Sequence, residues 1–323
     1  MRVLGIESSA HTLGVGVFSG GRFLANEKAF YRGGAEGIHP RKAADFMAER
    51  ARGVLEAALA ESGLGIRDFD GIAFTQGPGL GPCLQVGAAL AKALAARNGK
   101  PLAAVNHCVA HIEAARLLSG ARDPVVVYAS GGNTQVIVRE GGRYRVLGET
   151  LDVGIGNMLD AFARELGVPF AHGSTVEKLA EKGEFFGLPY TVKGMDLAFT
   201  GLLTAAVKAL AERRKEDVCR ALQETSFAML VEATERAVAL TGKRRVVACG
   251  GVAQNRRLQE MLSLMCAERG ARFAAAPAEF NADNGAMVAY AGFLLLKAGR
   301  AVPPCSAKPR QRFRVDEVEL SWD

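Results

Sequence analysis

The chain reads as an α/β protein built from two similar halves with a nucleotide cleft between them, and three observations predict this. Each half opens with three consecutive strand-like segments. Each half also contains a strand that runs through a glycine-rich turn into a helix, a geometry suited to approaching phosphate. The length, 323 residues with 49% hydrophobic content, is enough for two domains of ordinary size, each with its own core.

The first half, taken as residues 1–121, begins with R-V-L-G-I, L-G-V-G-V-F-S and, after an S-G-G turn, R-F-L-A-N-E-K-A-F. A long helix is predicted from about His39 to Glu61, because Ala43, Phe46, Met47, Ala51, Val54, Leu55 and Ala58 repeat on a 3.6 period. A buried strand, G-I-A-F-T-Q, then meets the turn G-P-G-L-G-P and a helix from Cys83 to Arg97. In V-N-H-C-V-A-H-I-E-A-A-R-L-L, the apolar positions Val109, Ala110, Ile112, Ala114, Ala115, Leu117 and Leu118 mark one amphipathic helix.

The second half, residues 122–323, repeats the plan in the order of its elements. P-V-V-V-Y-A turns at S-G-G-N-T into Q-V-I-V-R-E, and R-Y-R-V-L-G-E-T-L follows as a third strand. A helical insertion is expected next, roughly Gly156 to Leu166, Ser174 to Glu181, Thr200 to Arg213 and Asp217 to Leu240. R-R-V-V-A-C then ends in G-G-V-A-Q-N and enters a helix to Glu268, a last helix opens near Asp283, and a basic tail closes the chain.

Composition narrows the class. The opening M-R-V-L-G-I-E predicts no signal peptide, and no apolar stretch is long enough to span a bilayer, so a cytoplasmic protein with no membrane partner is expected. Six scattered cysteines without a C-x-x-C predict reduced thiols and no zinc ribbon. A net charge of +6 allows a polyanionic partner without requiring one. The basic clusters at Arg213 to Lys215, Lys243 to Arg245 and Lys308 to Arg314 read first as solvated helix ends and tail, available for phosphate contacts.

The chemistry centres on His107 and His111. Their i, i+4 spacing puts both imidazoles on one helix face, close enough for one metal ion. A zinc protease of the H-E-x-x-H kind needs a glutamate directly after the first histidine, and Cys108 stands there instead, which argues against proteolysis. Tyr128, ending V-V-V-Y, and Asp283, in N-A-D-N-G-A-M, could complete a set that suits zinc or iron better than magnesium alone. In their local contexts Asp283 reads as a helix N-cap and Tyr128 as a strand-end aromatic. Four glycine-containing turns at strand ends predict a nucleotide site, although neither G-x-x-x-x-G-K-[ST] nor a helix-opening G-x-G-x-x-G is present. A P-loop enzyme and a dinucleotide dehydrogenase are therefore excluded.

Eight ordered motifs run through nearly the whole chain: G-I-E-S-S-A-H-T-L-G, H-P-R, N-H-C-V-A-H, Y-A-S-G-G-N-T-Q, D-V-G-I-G-N-M-L-D, M-D-L-A-F-T-G-L, G-G-V-A-Q-N and A-D-N-G-A-M-V-A. Together they resemble the TsaD/KEOPS tRNA threonylcarbamoyladenosine synthase family. The resemblance implies the duplicated α/β fold of actin, hexokinase and Hsp70. It also implies transfer of threonylcarbamoyl from threonylcarbamoyl-adenylate to the adenosine 3′ of the anticodon, in tRNAs reading codons that begin with adenosine. By the same resemblance His107, His111, Tyr128 and Asp283 hold one transition metal, iron or zinc. Tyr128, Ala129, Ser130, Gly131, Gly132 and Asn133, with Asp160, Gly173, Glu177 and Asn255, hold an adenine nucleotide or the adenylate, with or without magnesium. Tyr128 and A-H-T look archaeal or eukaryotic, which implies a KEOPS complex with a kinase-like ATPase and small accessory subunits, as well as tRNA.

Glu7, Ser9 and His11, on the first turn, are the candidates for positioning or deprotonating the attacking amine; otherwise they form a capped turn between strands. Two departures stand out. Ser9 replaces the branch's usual threonine, and F-A-H-G-S-T-V-E lacks the glycine-proline pair that commonly follows the position of Gly173. The fold alone equally permits a small-molecule kinase or a nucleotide-binding regulatory scaffold.

Overall fold

Two five-stranded sheets share one strand order, and the computed structural model, which describes residues 1–33, 37–168 and 172–322, places each in its own compact unit. Phe170 and Ala171 of the F-A-H-G-S-T-V-E stretch lie outside the described residues. Unit 1 comprises residues 1–114 and 282–323, and unit 2 comprises residues 115–281.

In unit 1, β1 (Arg2–Glu7), β2 (Thr12–Ser19) and β3 (Arg22–Phe30) form an antiparallel meander. Helix α1 (Pro40–Ser62) returns the chain to β4 (Gly71–Gly77), which lies parallel to β1, and α2 (Gly81–Asn98) leads to a parallel β5 (Leu102–Asn106) and then α3 (His107–Ser119). Strand periodicity divides the core between two faces. Leu4, Leu13, Val15 and Val17 pack on α1, and Ile6, Ile72 and Phe74 pack on Ala88, Ala91 and Ala95 of α2. Val3, Ala73, Ala103 and Val105 face the other way, onto Ala110 and Ala114 of α3.

Unit 2 repeats the meander with β6 (Val125–Ala129), β7 (Thr134–Glu140) and β8 (Arg143–Glu149). The insertion holds α4 (Ile155–Glu165), α5 (Gly173–Ala180), a two-strand ribbon of β9 (Val192–Lys193) and β10 (Asp196–Leu197), α6 (Thr200–Ala209) and α7 (Lys215–Thr241). Then β11 (Arg245–Cys249), α8 (Arg256–Glu268) and β12 (Arg272–Ala275) complete the parallel side, and a short α9 (Ala278–Asn281) ends the unit. Val125, Val127, Val246 and Ala248 pack on Phe162, Phe227, Leu230, Leu258 and Leu262.

The last helix, α10 (Gly285–Lys297), departs from the expected halves. Residues 282–323 belong to unit 1, where Met287, Val288 and Ala291 join the core formed by Val3 and Ala73. Glycines permit this. A Cβ at Gly5 would lie 2.1 Å from Ala289 N, one at Gly16 would lie 2.2 Å from Ala286 N, and one at Gly285 would lie 2.3 Å from Gly16 N. The helix therefore rests on the sheet backbone to backbone, an approach no larger residue allows. The two fifth strands, β5 and β12, were not anticipated, and α6 stops at Ala209 rather than Arg213.

Cys83, Cys108, Cys219, Cys249 and Cys266 are buried, Cys305 is exposed, and no disulfide joins them among the described residues. No helix there is long and apolar enough to cross a membrane.

Gly16→Ala should lower stability by about 3 kcal/mol, the upper end of overpacking costs, because only backbone could move to relieve it. Gly53→Ala, in the exposed interior of α1 with nothing within 4 Å, should instead raise it by about 0.5–1 kcal/mol. Urea unfolding of the two variants checks both signs.

Candidate functional site

Strand β5 runs straight into α3. Asn106 makes this possible, since its Oδ1 accepts from Val109 N (3.1 Å) and so caps the helix. Its Nδ2 donates to Phe313 O and Arg314 O, which pins the C-terminal segment beside it. His107 thus occupies the first helical turn and His111 the second, with ring centroids 4.7 Å apart and nearly perpendicular. Asn284, not Asp283, caps α10, accepting from Met287 N at 2.9 Å. Asp283 is thereby left to face the histidines, with Oδ1 3.5 Å from His107 Nε2 and 3.2 Å from His111 Nε2.

These three donors fit a metal ion. Ligands about 2.1 Å from one centre at tetrahedral angles stand about 3.4 Å apart, which both separations match. The three ligand atoms all lie within 4.8 Å of one another. Burial disfavours a charged His107, but the carboxylates of Glu7 and Asp283 outweigh it and raise its pKa to about 9. Burial pushes His111 down, with His107 adding to the effect. Burial also opposes ionisation of Asp283, yet the two imidazoles hold it below the usual carboxylate range.

Of the three first-turn candidates, Glu7 meets the cluster directly: its Oε2 lies 3.0 Å from His107 Nδ1. Ser9 and His11 differ from it. Ser9 Oγ and His11 Nδ1 are buried and make no hydrogen bond among the described residues. The G-P-G-L-G turn packs against this segment, with Leu80 N donating to Ser9 O at 2.7 Å. Two glycine turns therefore meet within unit 1.

The other two meet within unit 2. Tyr128, fully buried at the end of β6, pairs with Cys249 at the end of β11. A Cβ at Gly250 would lie 2.4 Å from Ala129 O. Ser130 N donates to Asn133 O (2.8 Å), and the N-terminus of α4 docks on the same turn through Gly156 N to Ser130 O and Asn157 N to Gly131 O. A Cβ at Gly132 would meet nothing within 4 Å, so open space lies against that backbone.

The remaining nucleotide candidates are joined through α5. Asp160 Oδ1 accepts from Gly173 N (2.8 Å) and Glu177 Oε1 from Arg256 N (2.9 Å). Asn255 caps α8, accepting from Arg257 N and Leu258 N, and its Nδ2 donates to Gln223 Oε1 at 3.0 Å. Gln223 was not anticipated. It lines, with Glu177, Arg220 and Arg256, a cavity of about 200 Å³. Asp152 also had no expected role. Its carboxylate accepts from Val153, Phe199 and Thr200 N–H groups, tying the D-V-G-I-G motif to M-D-L-A-F-T-G.

Residues 22–290 match the family described as TsaD, tRNA N6-adenosine threonylcarbamoyltransferase. A protein of that name from Thermococcus sibiricus is 51% identical over 325 residues, covering 100% of both chains, and one from Methanocella arvoryzae is 50% identical over 99% of this chain and 98% of its own. A relative from Methanocorpusculum labreanum, named as a probable bifunctional tRNA threonylcarbamoyladenosine biosynthesis protein, is 50% identical over 99% of this chain and 61% of its own. Among solved structures, HypF of T. kodakarensis shares the fold at a TM-score of 0.64 and 16% identity, over 90% of this chain and 47% of that one. The Clostridium difficile 2-hydroxyisocaproyl-CoA dehydratase activator does so at 0.56 and 14%, over 93% and 97%. These likenesses show the fold alone, two α/β units with like strand order.

The metal-free protein should show a specific pH dependence. A histidine raised from 6.5 to about 9 stabilises the fold fully below 6.5, and that contribution disappears as pH rises through about 9. The stability difference between wild type and Asp283→Asn should therefore shrink across this window, as followed by urea unfolding. Separately, Asn255→Ala should cost about 1–2 kcal/mol through loss of the α8 cap, and Asn255→Ser should recover most of it.

Proposed function

The chain belongs to the tRNA N6-adenosine threonylcarbamoyltransferase family, and from that premise we propose how its residues carry out the transfer. It is a transferase acting on tRNA, and the kinase and scaffold readings are not favoured beside relatives so similar over their full length. The proposed reaction moves threonylcarbamoyl from its mixed anhydride with adenylate to N6 of the adenosine just 3′ of the anticodon, in tRNAs reading codons that begin with adenosine. The N6–carbon bond forms, the bond from that carbon to the phosphate oxygen breaks, adenylate leaves with the electron pair, and one N6 proton needs an acceptor.

The observation that carries this reading is the cluster of His107, His111 and Asp283, whose spacing suits a zinc or iron ion and which a sugar or acid kinase has no use for. His107, His111 and Asp283, with Tyr128 nominated by the sequence as a fourth ligand, would hold such an ion, which would supply Lewis-acid stabilisation of the phosphate leaving group. The N–H groups of Gly131 and Gly132 approach the nucleotide where no Cβ intervenes, helped by the N-terminus of α4. Asp160, Gly173, Glu177 and Asn255 complete that nucleotide site, and the adenylate is held with or without magnesium. Glu7 is engaged with His107, so the proton acceptor falls to His11, whose Nδ1 makes no bond among the described residues, with Ser9 orienting the amine.

We place the chain in the cytoplasm, within a KEOPS-type complex containing a kinase-like ATPase and small accessory subunits. Relatives named bifunctional, of whose length the match covers 61% and 59%, support a coupled second activity. The basic clusters are small and dispersed, so tRNA affinity at physiological salt depends on those partners.

Mass analysis of tRNA nucleosides, after incubation with the chain, its partners, threonine, bicarbonate and ATP, should show threonylcarbamoyladenosine. Its absence would overturn the reaction. Asp283→Ala should abolish the product without dissociating the complex, and His11→Ala should slow it by about 10²-fold or more. Gly131→Val should remove adenine-nucleotide affinity, read by calorimetry, with the melting temperature changed far less, although a Cβ there lies 3.1 Å from Asn157 Oδ1 and strains the turn.

A further inference from the structure

Glu7 is wholly buried, and both of its carboxylate oxygens are engaged. Oε1 accepts from Ser9 N at 2.5 Å, and Oε2 accepts from Thr75 Oγ1 at 2.5 Å and lies at hydrogen-bond distance, 3.0 Å, from His107 Nδ1. An ionised carboxylate has no hydrogen to give, so the third bond requires a proton on Nδ1 of the imidazole. The Nε2 lone pair of a neutral His107 is then directed toward Asp283 Oδ1 and the point it shares with His111.

The carboxylate is itself firmly held. Parallel pairing of β1 with β4 puts Ile6 opposite Phe74, one residue before Glu7 and Thr75 on their strands. The turn that follows is wedged under two glycines. A Cβ at Gly87 would lie 2.1 Å from Ser8 Oγ, and one at Gly79 would lie 2.3 Å from Ser9 O. Little freedom remains for Glu7 to swing toward a substrate amine.

We propose that Glu7 and Thr75 are positioning residues of the metal centre: Glu7 sets the tautomer and ring orientation of His107, and Thr75 orients Glu7. This assignment rests on His107, His111 and Asp283 binding metal, and it replaces a direct role for Glu7 in deprotonating the amine. Carboxylates that accept from the far nitrogen of a ligating histidine commonly alter metal affinity 10–100-fold.

The test measures zinc affinity of the metal-free protein by competition with a chromophoric chelator, together with the melting temperature of each variant. Glu7→Ala should weaken zinc binding about 10–100-fold, whereas Glu7→Gln, which still accepts from Nδ1, should lose markedly less; Thr75→Val should fall between wild type and Glu7→Ala. His111→Ala separates the two levels of inference. If it leaves zinc binding intact, the metal reading itself fails. If it abolishes binding while Glu7→Ala stays within about twofold of wild type, the metal reading stands and the positioning role is overturned. A second readout needs no variant to fold. Nitrogen-15 NMR of wild-type imidazoles, recorded where His107 is neutral and metal-free, should show its proton on Nδ1, and a proton on Nε2 would overturn the proposal.

Discussion

Backbone contact between α10 and the first sheet is the constraint on which unit 1 depends. Gly5, Gly14 and Gly16 line the strand side, and Gly285 and Gly292 line the helix side, so the helix lies where side chains would ordinarily hold it away. That depth sets the position of Asp283, just ahead of the helix, opposite histidines that are about half the chain length away in sequence. A helix raised by the height of one methyl group would move that carboxylate relative to both imidazoles. Packing and site chemistry are the same requirement here.

Many of the polar residues singled out in unit 2 already have structural partners. Asn255 caps α8, Glu177 accepts from the first N–H of that helix, and Asp160 accepts from the first N–H of α5. The helix ends that would receive a nucleotide are thus ordered by the same side chains that would recognise it. Preorganisation of this kind reduces the ordering cost of binding. It also means that loss of ligand and loss of local structure are coupled at these positions.

Sequence patterns made some of this legible and hid the rest, for identifiable reasons. The two meanders were readable because their strands alternate or run apolar for five residues or more, and the histidine pair was readable because i, i+4 spacing has one meaning on a helix. The strands L-A-A-V-N and R-F-A-A escaped notice because they are short and alanine-rich, with little β propensity. The assignment of α10 to unit 1 was hidden because a helix carries no mark of which sheet it will cover. Gly5 and Gly16 acquire meaning only once Gly285 is known to oppose them. Asp283 and Asn284 are both competent caps, and only the fold shows that asparagine takes that role. Thr75 gave no signal at all, since its partner is 68 residues away on a neighbouring strand.

The chain order of the two units has a consequence for biosynthesis. Unit 2 is one uninterrupted stretch, residues 115–281, whereas unit 1 is split and needs residues from 282 onward to close its core. On a ribosome the inserted unit can be complete while the earlier-made sheet still exposes the apolar face that Met287, Val288 and Ala291 will cover. The first strands to emerge are therefore among the last to be sealed. The approach of Asp283 to His107 and His111 is then a late event, because it waits on the helix that follows Asp283.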